Sequence, residues 1–330
     1  MNIVPRTMAL VAAAALSVHA AKTLDIYFID VEGGQSTLIV SPSGQSLLVD
    51  TGWAGNSGRD ANRIAQAAKL AGVKKIDYLL ITHHHADHVG GVENLLARLP
   101  VGAFLDHGPS VEDGKYSPPY EKAFASGQHQ VIAPGDKIPV KGLEITVVGA
   151  GGKAISTKGL ANPYCEGSAP HEEGAGNENG ENPQSAAIVV QFGKFRFADL
   201  GDITWNKQFA LLCPENKIGK IDLYLIAHHT GETLKPIWAL APRVSVSNNG
   251  ARKGANPADW KIVHSSPGLE DLWQLHFAAE GGKETNVPDP FIANVEDYDE
   301  GHYLKASIAA DGSFTMFNPR NKYTKRYDAK

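Results

Sequence analysis

The apolar and polar positions along the chain repeat one arrangement twice. The stretches QSTLIVSPSGQSLLVDTGW from Gln35 and QSAAIVVQFGKFRFADLGD from Gln184 align without a gap, and each predicts a strand, a tight turn and a second strand. Farther along, KKIDYLLITHHH from Lys74 and GKIDLYLIAHHT from Gly219 both end an apolar run in paired histidines. Because the two repeats keep their order, we predict two pseudo-equivalent halves.

Predicted helices fill the gaps between the repeated strands. Helical spacing of apolar residues predicts helices at 59–71, 91–98 and 204–212. Apolar runs without alternation, at 78–82 and 223–227, are typical of strands that are covered on both faces. Strands that alternate with helices in two halves predict an α/β fold, a four-layer αββα sandwich.

Two regions depart from the repeat. The segment 149–182 is rich in Gly, Asn and Glu, so it is either a disordered insert or a lid over a site, and its position just before the second repeat favours a lid. Toward the C-terminus, the stretches that begin at Val244, Asp271 and Ser307 predict a strand, a helix and a terminal hairpin. We predict that residues 22–330 form a single domain.

The N-terminus predicts export. Residues 1–21 combine one positive charge, a short apolar run and a small-residue cleavage motif, which is typical of a signal peptide. The run is too short to span a bilayer, so we expect a secreted or periplasmic protein without a membrane anchor after cleavage. In an exported chain, Cys165 and Cys213 form one disulfide or remain two isolated thiols.

The charge balance limits the partners. The chain carries 31 Lys and Arg against 36 Asp and Glu, a net charge of −5. Binding along duplex nucleic acid usually relies on excess basic residues, so no duplex partner is expected. A small-molecule or short single-stranded substrate fits this charge better, and no oligomeric state is indicated.

The densest chemistry lies in the motif HHHADH after the strand at 78–82. Alternation along the chain lets His83 and His85 face one point while Asp87 and His88 face another, with His84 as a spacer. This pattern fits two metal ions. Imidazole and carboxylate donors favour Zn²⁺, with Mn²⁺ or Fe also possible. The alternative is a solvated histidine-rich loop that binds metal adventitiously.

These motifs carry a resemblance to a known family. THHHADH followed by Gly-Gly, with LLVDTG upstream and LGD and HH downstream, resembles the metallo-β-lactamase fold superfamily. Within that superfamily, IDVEGGQSTLIV, NPQS and IDLYLIAHHTG look most like the hydrolase domain of competence-type DNA-uptake proteins. The resemblance implies a first ion on His83 and His85, a second ion on Asp87, His88 and His228, and Asp202 as a bridge between them.

The repeat and the strand ends suggest supporting residues around the ions. Asp50 is expected to contact a ligand histidine and so to orient its ring toward the metal. Trp53 and His107 follow strands at the same edge and are expected to line the pocket.

Three features of the second half refine this assignment. His228 is preferred as ligand because it comes first after its strand, whereas His229 is expected to contact the substrate and to be catalytic together with Asp87. Asn182 stands where many superfamily members have another histidine. The GANP sequence at 254–257 replaces the GHP of the competence-type branch, which weakens the case for a nuclease in particular.

The resemblance implies a metal-dependent hydrolase that attacks with a metal-bound hydroxide, and the N-terminal signal adds the expectation of export. Phosphodiesters rank ahead of lactones, carboxylic esters and β-lactams as substrates. The alternative from another class is a non-catalytic metal- or ligand-binding module on the same fold. A di-iron oxidoreductase is less favoured, because the chain shows no appended flavin-binding domain.

Overall fold

The computed structural model describes residues 23–125, 127–172, 178–295 and 300–330. The predicted signal peptide at 1–21 lies outside these ranges. Every helix within the ranges falls short of the length and apolarity that a membrane span requires.

The described residues form strands and helices in alternation. In chain order the strands are β1 (Leu24–Phe28), β2 (Thr37–Val40), β3 (Ser46–Val49), β4 (Ile76–Leu80), β5 (Val101–Asp106), β6 (Gln128–Val131), β7 (Lys137–Ile138), β8 (Glu144–Ala150), β9 (Lys153–Ala154), β10 (Leu160–Ala161), β11 (Ala187–Phe192), β12 (Phe195–Asp199), β13 (Glu215–Asn216), β14 (Leu223–Leu225), β15 (Val244–Ser247), β16 (Asp271–His276), β17 (Ile292–Asn294), β18 (Leu304–Ile308), β19 (Phe314–Asn318) and β20 (Tyr323–Tyr327). The α-helices are α1 (Arg59–Leu70), α2 (Ala86–Val89), α3 (Val92–Leu96), α4 (Pro118–Phe124), α5 (Trp205–Leu212) and α6 (Pro257–His264).

Two large mixed sheets contain most of these strands. The first has the order β20-β19-β18-β1-β2-β3-β4-β5-β6, and the second has the order β17-β16-β15-β14-β12-β11-β8-β7. In the first sheet, β2 and β3 are antiparallel and β4 then runs parallel to β3. In the second, β11 and β12 are antiparallel and β14 runs parallel to β12. The repeated sequence units therefore build equivalent parts of two half-structures.

The layers pack as the sequence predicts. An apolar cluster fills the space between the two sheets, where the rings of Phe28 and Phe197 meet edge to face with centroids 5.8 Å apart. A second cluster joins the outer face of the first sheet to α1, α3 and α4. A third joins the outer face of the second sheet to α5 and α6. The α/β fold and its αββα layering are confirmed.

The C-terminal part differs from its prediction in one element. The stretch from Asp271, predicted as a helix, is strand β16, which lies between β15 and β17. All but the first of its residues are buried. A short apolar run that is buried on both faces shows no alternation, so periodicity alone does not separate strand from helix. The helix of this region is α6, and the terminal hairpin extends the first sheet as β18 and β19.

The described residues of the insert 149–182 pack against the second half. Cys165 forms a disulfide with Cys213, which directly follows α5. β10 of the insert pairs with β13, and the carboxylate of Glu178 accepts a hydrogen bond from the Thr204 hydroxyl at 2.7 Å. These contacts tie the insert to α5, and its role as a lid stays a prediction.

Reduction of this disulfide is expected to lower the free energy of unfolding by about 4 kcal/mol, because a cross-link across a loop of this length restricts the unfolded chain. The two cysteines are 48 residues apart. Denaturant unfolding with and without a reductant measures the difference. A double variant, Cys165→Ala with Cys213→Ala, should unfold like the reduced protein and show no response to reductant. An unchanged unfolding midpoint on reduction would refute this expectation.

Candidate metal centre

Polar residues from both halves meet at the edge where the central strands end. The residues that follow these strand ends are Asp50 after β3, His83 and His85 after β4, Asp87 and His88 in α2, Asp202 after β12, and His228 and His229 after β14. Because the carboxyl ends of parallel strands lie at one edge of a sheet, each half contributes side chains to a shared site.

Four donor atoms from this edge form a tight cluster. The Nε2 atom of His88 lies 3.4 Å from Asp87 Oδ2, 3.3 Å from Asp202 Oδ2 and 3.3 Å from His229 Nε2. His229 Nε2 lies 3.3 Å from Asp87 Oδ2 and 3.2 Å from Asp202 Oδ2. Donors around a tetrahedral Zn²⁺, with bonds of about 2.0–2.1 Å, are separated by roughly 3.3 Å. The donor set and its spacing therefore fit a divalent ion.

The two adjacent histidines after β14 lie in the opposite places from those that the sequence suggested. His228, predicted as the ligand, has its Nε2 atom 4.0 Å from Asp202 Oδ2 and 3.1 Å from the amide nitrogen of Asn182. It is His229 that converges with the other donors. Ala227–His229 is a tight turn in which both histidines have positive φ, 53° and 51°. The sequence favours His228 because it is the first residue after the strand, a choice that assumes an extended backbone. The backbone turns at this point instead, so the order along the chain does not decide which histidine faces the cluster.

The turn is supported from the loop between β15 and α6. The backbone N–H of Ala255 donates to the carbonyl of His229 at 2.7 Å. Gly254 approaches so closely that a Cβ there would lie 2.3 Å from the same carbonyl oxygen, and its φ is +80°. Only glycine fits this position, so the GANP sequence holds His229 in place.

Asp50 takes the supporting position that was predicted for it. Its Oδ2 atom lies 2.7 Å from His88 Nδ1, and its two oxygens accept from the backbone N–H of Thr82 at 2.8 Å and from the Thr82 hydroxyl at 2.6 Å. This contact directs the other nitrogen of His88 toward the cluster. Asp199, the counterpart of Asp50 in the second half, accepts from Gln35 Nε2 at 2.9 Å instead. Burial raises the pKa of Asp199 to about 7.

A second group of donors adjoins the first. His83 Nε2 lies 2.9 Å from His85 Nδ1, and His83, His88 and Asp202 each offer an atom within 4.8 Å of the others. The Asp202 Oδ1 atom is buried and makes no hydrogen bond to the described residues. A buried carboxylate oxygen without a partner is unfavourable, so this atom is available to bind a cation.

Mutual electrostatics set the charges in the cluster. Burial favours a raised pKa for Asp202, but the charges of His229 and His88 hold it well below its usual range. Burial also favours a raised pKa for Asp87, but hydrogen bonds from His229 and His88 outweigh it and lower the Asp87 pKa. His88 shows the reverse, since Asp202 and Asp50 raise its pKa well above the usual value despite burial. Burial and the charge of His88 lower the pKa of His83, which favours the neutral imidazole that binds metal.

Asn182 stands beside the cluster, where many superfamily members are expected to have a histidine. Its Nδ2 atom contacts His228, and its Oδ1 atom is buried without a hydrogen bond from the described residues. Asn182 thus links the end of the insert to His228. Among the described residues, the donors on the first-ion side are His83 and Asp202 together with His88, and His85 lies beside His83.

Lys253 is a site residue that the sequence did not indicate. Its Nζ atom contacts Asp87 Oδ2 and lies 4.9 Å from the centroid of the Trp53 ring, and the role of Trp53 as a pocket-wall residue stays a prediction. A single lysine in a polar loop has no spacing signal that would distinguish it from a solvated one. Its partner Asp87 is 166 residues away in the chain.

A buried carboxylate joins the insert to the histidine motif. Glu181 Oε2 accepts from the backbone N–H of His84 at 2.9 Å and from His107 Nε2 at 3.1 Å, and Oε1 accepts from the backbone N–H of Val111 at 2.6 Å. His107, predicted as a pocket-wall residue, is therefore buried against Glu181. His84, predicted as a spacer, contributes its backbone to the same network.

Replacing Glu181 with glutamine is expected to lower the free energy of unfolding by about 2 kcal/mol at pH 7. Burial alone would raise the Glu181 pKa, but hydrogen bonds from His107 and from the His84 backbone lower it from 4.5 to about 2. Because the folded-state pKa is depressed, the stabilisation is present above about pH 4.5 and is lost as the pH falls toward 2. Denaturant unfolding across this range should show the variant and wild type converging.

The exposed Glu121, on α4, offers a matched control for this prediction. Glu121→Gln should leave stability unchanged at both ends of the pH range. A Glu181→Gln deficit that stayed constant down to pH 2 would show that the carboxylate charge contributes nothing.

Sequence comparison finds likeness to known proteins over part of the chain. Residues 29–170 match the Metallo-beta-lactamase superfamily. A hydroxyacylglutathione hydrolase of Erwinia tasmaniensis is 34% identical over 77 residues, which cover 23% of this chain and 26% of the relative. A hydroxyacylglutathione hydrolase of Xanthomonas campestris pv. campestris is 31% identical over 110 residues, 33% of this chain and 35% of the relative. The chain thus spans only a quarter to a third of the length of these relatives.

A solved structure gives a weaker likeness. Tm1679, a metal-dependent hydrolase of the β-lactamase superfamily, has a TM-score of 0.45 and 15% identity over 76% of this chain and 95% of that chain. The narrower resemblance to competence-type proteins is not confirmed by these relatives. Residues 29–170 match the Metallo-beta-lactamase superfamily, and the described residues form an αββα sandwich of two similar halves.

Proposed function

We propose that this chain is an exported metal-dependent hydrolase that binds two zinc ions. The observation that carries the proposal is the convergence of His88, His229 and two carboxylates at the donor spacing of a tetrahedral ion. In this assignment His83, His85 and Asp202 hold the first ion, and Asp87, His88, His229 and Asp202 hold the second. Divalent ions at these positions would lower the pKa of bound water toward neutrality and stabilise developing negative charge.

The surrounding residues keep the site ready for this chemistry. Asp50 holds the His88 ring in one tautomer through the hydrogen bond to Nδ1. Asp87, predicted as catalytic, acts as a ligand of the second ion. His228, whose side chain is 19% exposed, stands at the pocket wall next to Asn182. We assign to His228 the substrate contact that the sequence suggested for His229.

We place phosphodiesters first as the substrate class, as small molecules or short single strands. The flanking motifs IDVEGGQSTLIV and NPQS support this choice, and the net charge of −5 disfavours long duplexes. A second candidate is hydrolysis of a hydroxyacylglutathione, because relatives that match part of the chain are named for that activity.

Two features support an exported protein. The Cys165–Cys213 disulfide is suited to an oxidising compartment. Residues 1–21, which lie outside the described ranges, have the sequence of a cleavable signal.

Metal analysis combined with a substrate panel tests the proposal. The purified protein is expected to hold about two zinc ions per chain and to hydrolyse bis(p-nitrophenyl) phosphate, with activity removed by a chelator and restored by zinc. The panel also contains a hydroxyacylglutathione, a chromogenic lactone and a chromogenic β-lactam. Turnover of the hydroxyacylglutathione alone would replace the phosphodiester with the second candidate. Zinc binding without turnover of any substrate would favour the non-catalytic module.

A further inference from the structure

Lys253 places a positive charge directly at the candidate metal centre. It lies in the loop between β15 and α6, and its side chain is 42% exposed. Its Nζ atom contacts Asp87 Oδ2, one of the atoms assigned to the second ion. The ammonium lies over the Trp53 ring at 4.9 Å, a favourable contact between a cation and an aromatic face. Lys253 thus has its charged end at the cluster.

The backbone of Lys253 is fixed, whereas its side chain has room to move. Its carbonyl accepts from the backbone N–H of Gly250 at 2.9 Å. The loop after β1 packs against it so closely that a Cβ on Gly33 would lie 2.8 Å from Lys253 Cβ. These contacts set the start of the side chain at the pocket edge, and the flexible four-carbon stem lets the ammonium change partners.

Metal binding changes the charge that Lys253 faces. In the chain alone, Asp87 is its counter-ion. A divalent ion on Asp87 takes up that negative charge and repels the ammonium. Two divalent ions also outweigh the two carboxylates Asp87 and Asp202, so the loaded site carries excess positive charge. An anionic group that contacts both the metal centre and Lys253 would balance it.

We propose that Lys253 is a substrate-binding residue that receives an anionic oxygen group, phosphate or carboxylate, beside the metal pair. This inference rests on the proposed function. The Trp53 ring lies beneath the Lys253 side chain and forms one face of the subsite. The ammonium donates hydrogen bonds to the anion once Asp87 is bound to metal. The subsite selects anionic substrates over neutral ones of the same size.

Anion binding to the zinc-loaded protein tests the proposal without requiring turnover. Zinc content is measured first, and inorganic phosphate and acetate are then titrated by calorimetry as separate arms. Lys253→Gln is expected to weaken binding of the preferred anion about 10-fold, since it removes one charge-assisted hydrogen bond. Lys253→Arg should stay within about 3-fold of wild type because it keeps the charge. The arm that responds to Lys253→Gln identifies phosphate or carboxylate as the group.

Lys235 provides a matched control, because its ammonium also lies over a tryptophan, 5.0 Å from the Trp238 ring, and among the described residues it contacts none of the cluster. Lys235→Gln should bind both anions like wild type. Equal affinity of wild type and Lys253→Gln for both anions, at equal zinc content, would overturn the inference alone. A wild-type protein that binds no zinc would overturn the proposed function and this inference with it.

Discussion

His229→Ala is expected to weaken zinc binding at the second site by about 100- to 1,000-fold and to abolish hydrolysis. A four-ligand zinc site has a binding free energy of about 10–16 kcal/mol, so one ligand accounts for about 2.5–4 kcal/mol. His229 Nε2 lies 3.2 Å from Asp202 Oδ2 and 3.3 Å from His88 Nε2, which places it among the donors. Competition with a chromophoric chelator measures the affinity.

The neighbouring His228→Ala variant is the matched control. It removes the same side chain one residue away, from a ring whose Nε2 atom faces Asn182. We expect wild-type zinc affinity with a raised KM, as for a substrate contact. If His228→Ala lost zinc and His229→Ala retained it, the assignment of the two histidines would be reversed.

Asp50→Asn is expected to reduce zinc affinity at the second site by about 10- to 100-fold, in the range found for residues that orient metal ligands. Asparagine has one acceptor oxygen, whereas the Asp50 carboxylate serves His88 Nδ1 and both the N–H and the hydroxyl of Thr82. The His88 ring would then lose the partner that fixes its tautomer. Zinc competition and activity assays should decline together.

The repeat supplies the control for this prediction. Asp199 occupies the equivalent position in the second half but contacts Gln35 rather than a ligand histidine. Asp199→Asn should therefore leave zinc affinity within about 3-fold of wild type, since asparagine keeps an oxygen that can accept from the Gly201 backbone and Asp199 contacts no ligand side chain. Equal losses in the two variants would point to a general effect of charge near the site instead of the orientation of His88.

The features that the sequence predicted correctly are those encoded locally. The two strand-turn-strand units from Gln35 and Gln184 form β2–β3 and β11–β12, and α1 and α5 form within about a residue of their predicted bounds. The alternation of the motif after β4 also brings His83 and His85 together. Hydrophobic periodicity and short spacing carry this information directly.

The missed features depend on tertiary contacts or on backbone turns. The choice between His228 and His229 turns on two residues with positive φ, which sequence periodicity does not encode. Lys253 becomes a site residue only because distant loops bring it to Asp87. Glu181 stands in a polar stretch, and its burial against His107 follows from how the insert folds back.

A crystal structure of the zinc-loaded protein with anomalous scattering at the zinc edge tests the central claim most directly. We expect two peaks, one of them about 2.0–2.1 Å from His88 Nε2, His229 Nε2 and oxygens of Asp87 and Asp202. The other peak should lie beside His83 and His85, on the Oδ1 side of Asp202. A zinc ion bound by His228 in place of His229, or the absence of zinc from this edge of the sandwich, would contradict the account.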